Sequence, residues 1–387
     1  MIRRLSTLLV CLALIGCDDE PASPDAGPDR DAGATDAGVA PADDAGPGAS
    51  DAGPGGVDGG LDAGPPATPG PRWIGRFDDA DPSAVRMSWS GSGMVLRFRG
   101  TGASVSMNGA GRHFTVVVDG EVQPTLDVSG DSGTYALATG LPDGEHTVEL
   151  YRRTEGSFGA TVITDVQVEG ELLAVPPPER TIEVVGDSIT AGYGVDGADQ
   201  HCSFSAATEN HFLTWGAIAA RALGAELSTV AWSGKGAIYN YGDDRTLPMP
   251  ELYDRVIATE DGSTGTIRPA DVVVVNLGTN DFSTDGDPSE GEFVPAYVDL
   301  LEQVRARHPD ALIACTIGPP LGPADMGRAR PMIDTAIATR SSAGDTNIAW
   351  VDLDGFADWG CDWHPGDETQ ALLAEDLVAF LRAELGW

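Results

Sequence analysis

Positive charge is scarce in this sequence. Against 60 aspartates and glutamates stand 23 lysines and arginines, a formal net charge of -37 over 387 residues, which repels nucleic acid and other polyanions. A neutral or cationic partner fits better, and an acidic polysaccharide fits poorly. The apolar run from Leu8 to Ile15 is too short to span a membrane. The six histidines form no tight cluster with carboxylates, which argues against a metal-dependent phosphatase built on Asp187, Asp281 and His364. A length of 387 residues exceeds one ordinary domain and suggests two domains with appendages.

What is present at the start is an export signal. "MIRRLSTLLVCLALIGC" carries two arginines, a short apolar stretch, then a small residue and a cysteine. Its end, "LIGC", resembles the lipobox of bacterial lipoproteins, which implies cleavage before Cys17 and lipidation of that cysteine, an anchor in a bacterial membrane at the cell surface or in the periplasm. Residues 18–70 are Asp, Ala, Gly and Pro with a recurring "DAG". Such a segment buries too little apolar surface to offset the entropy of ordering, so it is expected to be a disordered tether. About fifty flexible residues span roughly 40 Å root-mean-square, more with like charges along them. Cys11 leaves with the signal. Cys315 sits in the apolar "ALIACTIG" as a core thiol, and Cys202 and Cys361 remain as a candidate disulfide in an oxidising compartment.

Residues 71–175 read as an all-β sandwich, jelly-roll-like. Short alternating runs such as "MVLRFRG", "HFTVVVDG" and "HTVELYRRT" are punctuated by turn pairs Asp119-Gly120 and Asp143-Gly144. No aromatic platform emerges from the pattern, so buttressing a neighbour is favoured over binding sugar. "VPPPE" is a stiff linker. From 179 to 387 apolar strand candidates, "TIEVV", "ELSTVAW", "DVVVVNLG", "ALIACTIG" and "IAWVDL", alternate with helix candidates "FLTWGAIAARAL", "FVPAYVDLLEQVRARH" and "QALLAEDLVAFLRAEL". That alternation predicts an α/β three-layer domain with a parallel sheet, whose ligands sit at the carboxyl ends of the strands.

Four of those strand ends carry chemistry-bearing residues: "GDSIT", "SGKG", "GTND" and "CDWHPG". In order and spacing they resemble the four blocks of the SGNH hydrolases. With a β-sandwich ahead of them, "GDSITAGYG", "WSGKG", "NLGTNDFS" and "GCDWHP" look like carbohydrate esterase family 2 over about Trp73 to Trp387. The resemblance implies a GDSL-like, flavodoxin-like fold and an acetyl xylan or mannan esterase with Ser188 as nucleophile and His364 as base. It implies an oxyanion site made by the backbone N–H groups of Ser188 and Gly234 and the side-chain amide of Asn280. Among the other histidines, His308 ends a surface-like helix, His113 and His146 fall in the sandwich, and His201 and His211 are weaker rivals. Asp367 with Gln370 is expected to cap the last helix. Asp187 and Asp281 are expected to brace turns.

One position departs from the usual SGNH pattern: three residues before the histidine stands Cys361, where most members have aspartate. The orienting role falls to a backbone carbonyl, as in some family members, or to Asp362 or Asp358. Trp363, Tyr241 and Trp232 are candidate sugar-stacking residues. The resulting expectation is a serine acetylesterase acting on neutral hemicellulose through an acyl-enzyme, monomeric, needing no cofactor and no metal. Two rivals are an inactive surface carbohydrate-binding protein and an esterase for a lipid or other acyl ester. Intact Ser188, Gly234, Asn280 and His364 oppose the first, and the lack of a long apolar lid opposes the second.

Overall fold

The computed structural model describes residues 68–128, 130 and 132–387. The expected signal, Cys17 and the tether up to residue 67 lie outside the described residues. Nine strands come first: β1 (Arg72–Ile74), β2 (Val85–Met87), β3 (Gly93–Met107), β4 (His113–Val118), β5 (Glu121–Val122), β6 (Leu126–Asp127), β7 (Gly133–Ala138), β8 (Gly144–Arg152) and β9 (Thr161–Leu173). All the pairings among them are antiparallel. The long β3 organises them. Along Gly93–Gly100 it pairs with β8, and beyond a bulge, along Ala103–Met107, with β7. A strand that changes partner at a bulge turns a corner, which wraps the sheet around one core of Met87, Leu96, Phe98, Phe114, Val148 and Leu150.

The second half is the expected parallel sheet. Its strands are β10 (Thr181–Gly186), β11 (Glu226–Ala231), β12 (Val272–Asn276), β13 (Leu312–Thr316) and β14 (Ile348–Trp350), in the order β11-β10-β12-β13-β14. The strands are buried on both faces, which explains why β12 is four consecutive valines and an asparagine without polar alternation. Seven α-helices complete the domain: α1 (Ser188–Ala191), α2 (Trp215–Ala222), α3 (Met249–Leu252), α4 (Thr279–Phe282), α5 (Glu290–Arg307), α6 (Pro323–Ser342) and α7 (Asp367–Leu385). Ile182 and Val184 face α2 and α7, while Val185, Val273 and Val275 face α5 and α6.

Two helical expectations need correction. α6 has no counterpart among the sequence candidates, because prolines 323 and 331 bracket its first half and its core contacts, Ala329, Ile333 and Ala336, are sparse. α7 begins at Asp367, but its N-cap is Gly366 rather than Asp367. Gln370 does not close a capping box. Its amide accepts from Trp215 N and donates to the Ile189 carbonyl, tying α7 to α2 and α1.

The two sheets are joined by a buried ion pair. Arg76, fully buried in the N-terminal domain, donates from Nη2 to both oxygens of Glu183 in β10, at 3.0 and 3.1 Å. Tyr253 Oη and Ser228 Oγ donate to the same carboxylate. His308 joins them and is 1% exposed, contrary to the surface-like helix expected. Its Nδ1 accepts from Ala270 N, so Nε2 carries the proton and donates to Glu183 Oε1 at 3.1 Å. The end of α5 therefore points inward at the one charged residue of β10. Burial opposes ionisation of Glu183, but Arg76, His308 and Tyr253 outweigh it and hold the carboxyl at about 2, below its ordinary 4.5.

Removing Arg76 leaves that carboxylate buried without its main partner. Arg76→Met should cost about 3 kcal/mol or more in urea unfolding, and adding Glu183→Met should recover most of the loss. A single-variant cost under about 1 kcal/mol would contradict this account. Because the folded pKa is depressed, the Glu183 contribution is complete above pH 4.5 and is lost as pH falls toward 2.

Candidate active site

The chain turns abruptly where β10 ends. Gly186 has no room for a side chain: a Cβ would lie 2.1 Å from Thr190 Oγ1. Asp187 is the N-cap of α1, its Oδ1 accepting from Ile189 N at 3.0 Å, and Gly192 ends the helix at φ 93°. Asp187 thus takes the capping role, which leaves the next side chain free for other work. That side chain is Ser188, whose Oγ lies 2.8 Å from His364 Nε2, across 176 residues of sequence.

His364 Nδ1 is 3.0 Å from the carbonyl oxygen of Asp362. A carbonyl only accepts, so Nδ1 carries the proton and Nε2 is the bare acceptor facing the serine hydroxyl. The orienting group is therefore a backbone carbonyl, one of the alternatives the sequence left open. Neither aspartate side chain fills the role. Asp358 Oδ1 accepts from Thr369 N and caps α7. The Asp362 carboxylate accepts instead from Tyr193 Oη at 3.0 Å and Phe204 N at 2.9 Å.

The carbonyl points the right way because the loop is forced into left-handed backbone, Asp362 at φ 51° and Trp363 at φ 60°. Several restraints hold it there. Cys202 and Cys361 form a disulfide, Asp362 N donates to Cys202 O, and Cys361 N donates to Gly194 O, both at 3.0 Å. A Cβ at Gly194 would lie 2.8 Å from Cys361 O, so this close approach requires glycine. Tyr193 lies against the imidazole at 4.1 Å between centroids and is itself stacked on Phe204 at 3.8 Å. Neither Tyr193 nor Phe204 was singled out from the sequence. The one signal was the position of Tyr193 inside "GDSITAGYG".

Gly234 and Asn280 line the same cleft as Ser188 and His364. Gly234, at φ 78°, is the third residue of a turn closed by Lys235 N donating to Trp232 O, the geometry of a type II turn. Asn280 Nδ2 donates to Lys235 O at 2.9 Å and lies 3.3 Å from Asp187 Oδ2. Asp281 accepts from three successive backbone N–H groups, Ala237, Ile238 and Tyr239, each at 2.8 Å. Asp187 and Asp281 brace turns as expected. Burial pushes both carboxyls up to about 7.

The cleft has a volume of about 560 Å³. Trp363 and Tyr241 stand on its wall, 55% and 67% exposed. Trp232 does not join them. It extends β11 on the same face as Val230 and packs half-buried on the core, because alternation along a strand sends both side chains inward. The rival histidines are elsewhere: His211 is buried against Thr229 and held at about 3 by burial, His201 meets only the edge of Trp363, and His113 and His146 lie beside Asp127 and Asp119 in the β-domain.

A serine and a histidine meeting at the carboxyl edge of a 2-1-3-4-5 parallel sheet, beside a glycine turn and an asparagine, define an SGNH-type hydrolase. The family model described as GDSL-like lipase/acylhydrolase matches residues 184–372, and that of the carbohydrate esterase 2 N-terminal domain matches 73–178. A family two carbohydrate esterase from Clostridium thermocellum, solved with cellohexaose, is 37% identical with a TM-score of 0.78, over 82% of this chain and 100% of that one. The cellulase/esterase CelE of Acetivibrio thermocellus is 39% identical over 82% of this chain, which spans only 40% of that longer protein. An acetylxylan esterase/glucomannan deacetylase of Cellvibrio japonicus is 26% identical over 81% of this chain and 88% of its own length. The chain belongs to the family two carbohydrate esterases.

Burial pushes the His364 imidazole below its ordinary 6.5, against the opposing pull of the Asp362 carbonyl. A base must be neutral to work, so hydrolysis should persist to below pH 6.5 before its acid limb falls. The profile of kcat/KM on 4-nitrophenyl acetate measures this. An acid limb centred above the ordinary imidazole value would contradict the assignment.

Proposed function

We propose that this protein is an acetylesterase that removes O-acetyl groups from neutral polysaccharide, hemicellulose such as xylan or mannan, and that it works exported and lipid-anchored through Cys17. The observation that carries the reading is the 2.8 Å contact of Ser188 Oγ with an unprotonated His364 Nε2 at the floor of an open cleft. Ser188 Oγ attacks the acetyl carbonyl while His364 Nε2 takes its proton. The oxyanion is held by the N–H groups of Ser188 and Gly234 and by Asn280 Nδ2, which turns one hydrogen to it in exchange for its longer contact with Asp187 Oδ2. Collapse breaks the ester bond, and the departing sugar oxygen takes the proton from His364. Water, deprotonated by the same nitrogen, then attacks acetyl-Ser188 and releases acetate.

A neutral polymer suits the chain because the net charge is -37, and Trp363 and Tyr241 offer exposed aromatic faces at the cleft for sugar rings. A surface cleft with exposed aromatic walls suits a polymer whose acetyl groups are presented along its length. The relatives' names, acetylxylan esterase/glucomannan deacetylase among them, support the same class of substrate. The protein acts as a monomer and without nucleic acid.

The purified protein should hydrolyse 4-nitrophenyl acetate much faster than the butyrate or octanoate ester, and Ser188→Ala should abolish the activity, by about 10⁴-fold or more. It should also release acetate from acetylated xylan, glucomannan or galactomannan. Equal rates on octanoate would favour a lipid ester, and no hydrolysis at all would favour a binding protein. For the anchor, the full chain expressed in a bacterial host should fractionate with membranes and Cys17→Ser should move it to the soluble fraction. Unchanged fractionation of the variant would remove Cys17 from the account.

A further inference from the structure

The loop after β8 leaves the N-terminal domain and enters the hydrolase domain. Arg152, fully buried, shapes it by donating from Nε to Thr154 O, from Nη2 to Glu155 O and from Nη1 to Gly159 O, at 2.7 to 2.8 Å. Gly156 brings the loop so close that a Cβ there would lie 2.5 Å from the Ala258 Cβ. At its tip the Glu155 side chain, 5% exposed, is fully engaged. Oε1 accepts from Ser157 Oγ at 2.7 Å, and Oε2 accepts from the backbone N–H of Ser233, also at 2.7 Å.

Ser233 is the residue before Gly234. The turn Trp232–Lys235 is therefore held at two ends by different domains: Glu155 takes the N–H of its second residue, and Asn280 binds the carbonyl of its fourth. In a turn of this type the peptide between the second and third residues sets where the third N–H points. Ser233 N belongs to the preceding peptide, so the Glu155 bond fixes the plane from which the Ser233–Gly234 peptide is set through the two backbone torsions of Ser233. A charged acceptor at 2.7 Å is also a strong one.

We propose that Glu155 is a positioning residue for the esterase reaction: the N-terminal domain completes the oxyanion turn by anchoring Ser233, and so aims the Gly234 N–H. The domain is then a working part of the active centre. The same loop reaches the base side as well, since Phe158 packs on Phe204 at 6.3 Å between centroids, and Phe204 stacks on Tyr193. This proposal rests on the esterase reading above.

The test compares Glu155→Met, which keeps the volume and removes the acceptor, with Glu155→Gln, which keeps an acceptor oxygen. Each is measured in the full protein for kcat and KM on 4-nitrophenyl acetate and for melting temperature. The expected result is a kcat for the Met variant lower by about 10- to 100-fold with KM within about twofold, and a Gln variant within about fivefold of the parent. Should the Met variant fail to fold, Glu155→Ala takes its place with the same expectation. A variant without the acceptor that keeps kcat within about twofold overturns the proposal. So does a Gln variant that loses as much kcat as Met, or a loss that appears in melting temperature and KM alone. Inactivity of the unsubstituted protein on this ester would instead sink the esterase reading itself.

Discussion

The hydrogen bond from His364 Nδ1 to the Asp362 carbonyl is the constraint on which the site turns. A free imidazole divides its proton between two nitrogens, and only one arrangement leaves Nε2 able to receive a proton from Ser188. Here the choice is made by a main-chain oxygen held in place by two left-handed residues, a disulfide, a hydrogen-bonded carboxylate and a stacked tyrosine. The hydrogen bond of Nδ1 goes to the main chain and to none of these side chains, yet every one acts on the loop whose geometry decides the tautomer. The aspartate that most SGNH enzymes use as orienter is replaced at its usual position by a cysteine, and that cysteine is part of the restraint.

The rest of the molecule places this loop opposite Ser188. The five-strand order puts β10 and β12 side by side, so that Ser188 and Asn280 emerge at neighbouring strand ends. β11 supplies the glycine turn on the other flank. The N-terminal domain is fused to this sheet from below by Arg76 on Glu183 and beside the cleft by the loop of Glu155. One contact meets the middle of β10 and the other the turn that follows its neighbour β11, so the two domains share both a core and a rim.

Much of this was legible in the residues. The parallel sheet could be read from β-branched runs, and the catalytic pair from short motifs at their ends. The third role could not be assigned to one group, because a carbonyl has no letter of its own: the sequence shows Asp362 and leaves open whether its side chain or its main chain does the orienting. Glu155 was invisible for a related reason. Its partner is a backbone N–H 78 residues away in another domain, and nothing in "RRTEGSFG" distinguishes it from a surface glutamate. Trp232 was misread because a strand continuing one residue past its ladder keeps the inward alternation. His308 was misread because helical periodicity shows which face is apolar and not what meets the helix end.

The covalent link between Cys202 and Cys361 closes a ring 159 residues apart in sequence. That ring contains the glycine turn and Asn280, while Ser188 lies on one arm outside it and His364 on the other. A protease that nicks an exposed segment within the ring, such as the one around Leu247, cannot part the two arms, which stay bonded through sulfur. Cleavage between Ser188 and Cys202, or between Cys361 and His364, would by contrast leave nucleophile and base on separate chains, so sensitivity to digestion is concentrated on those two short stretches.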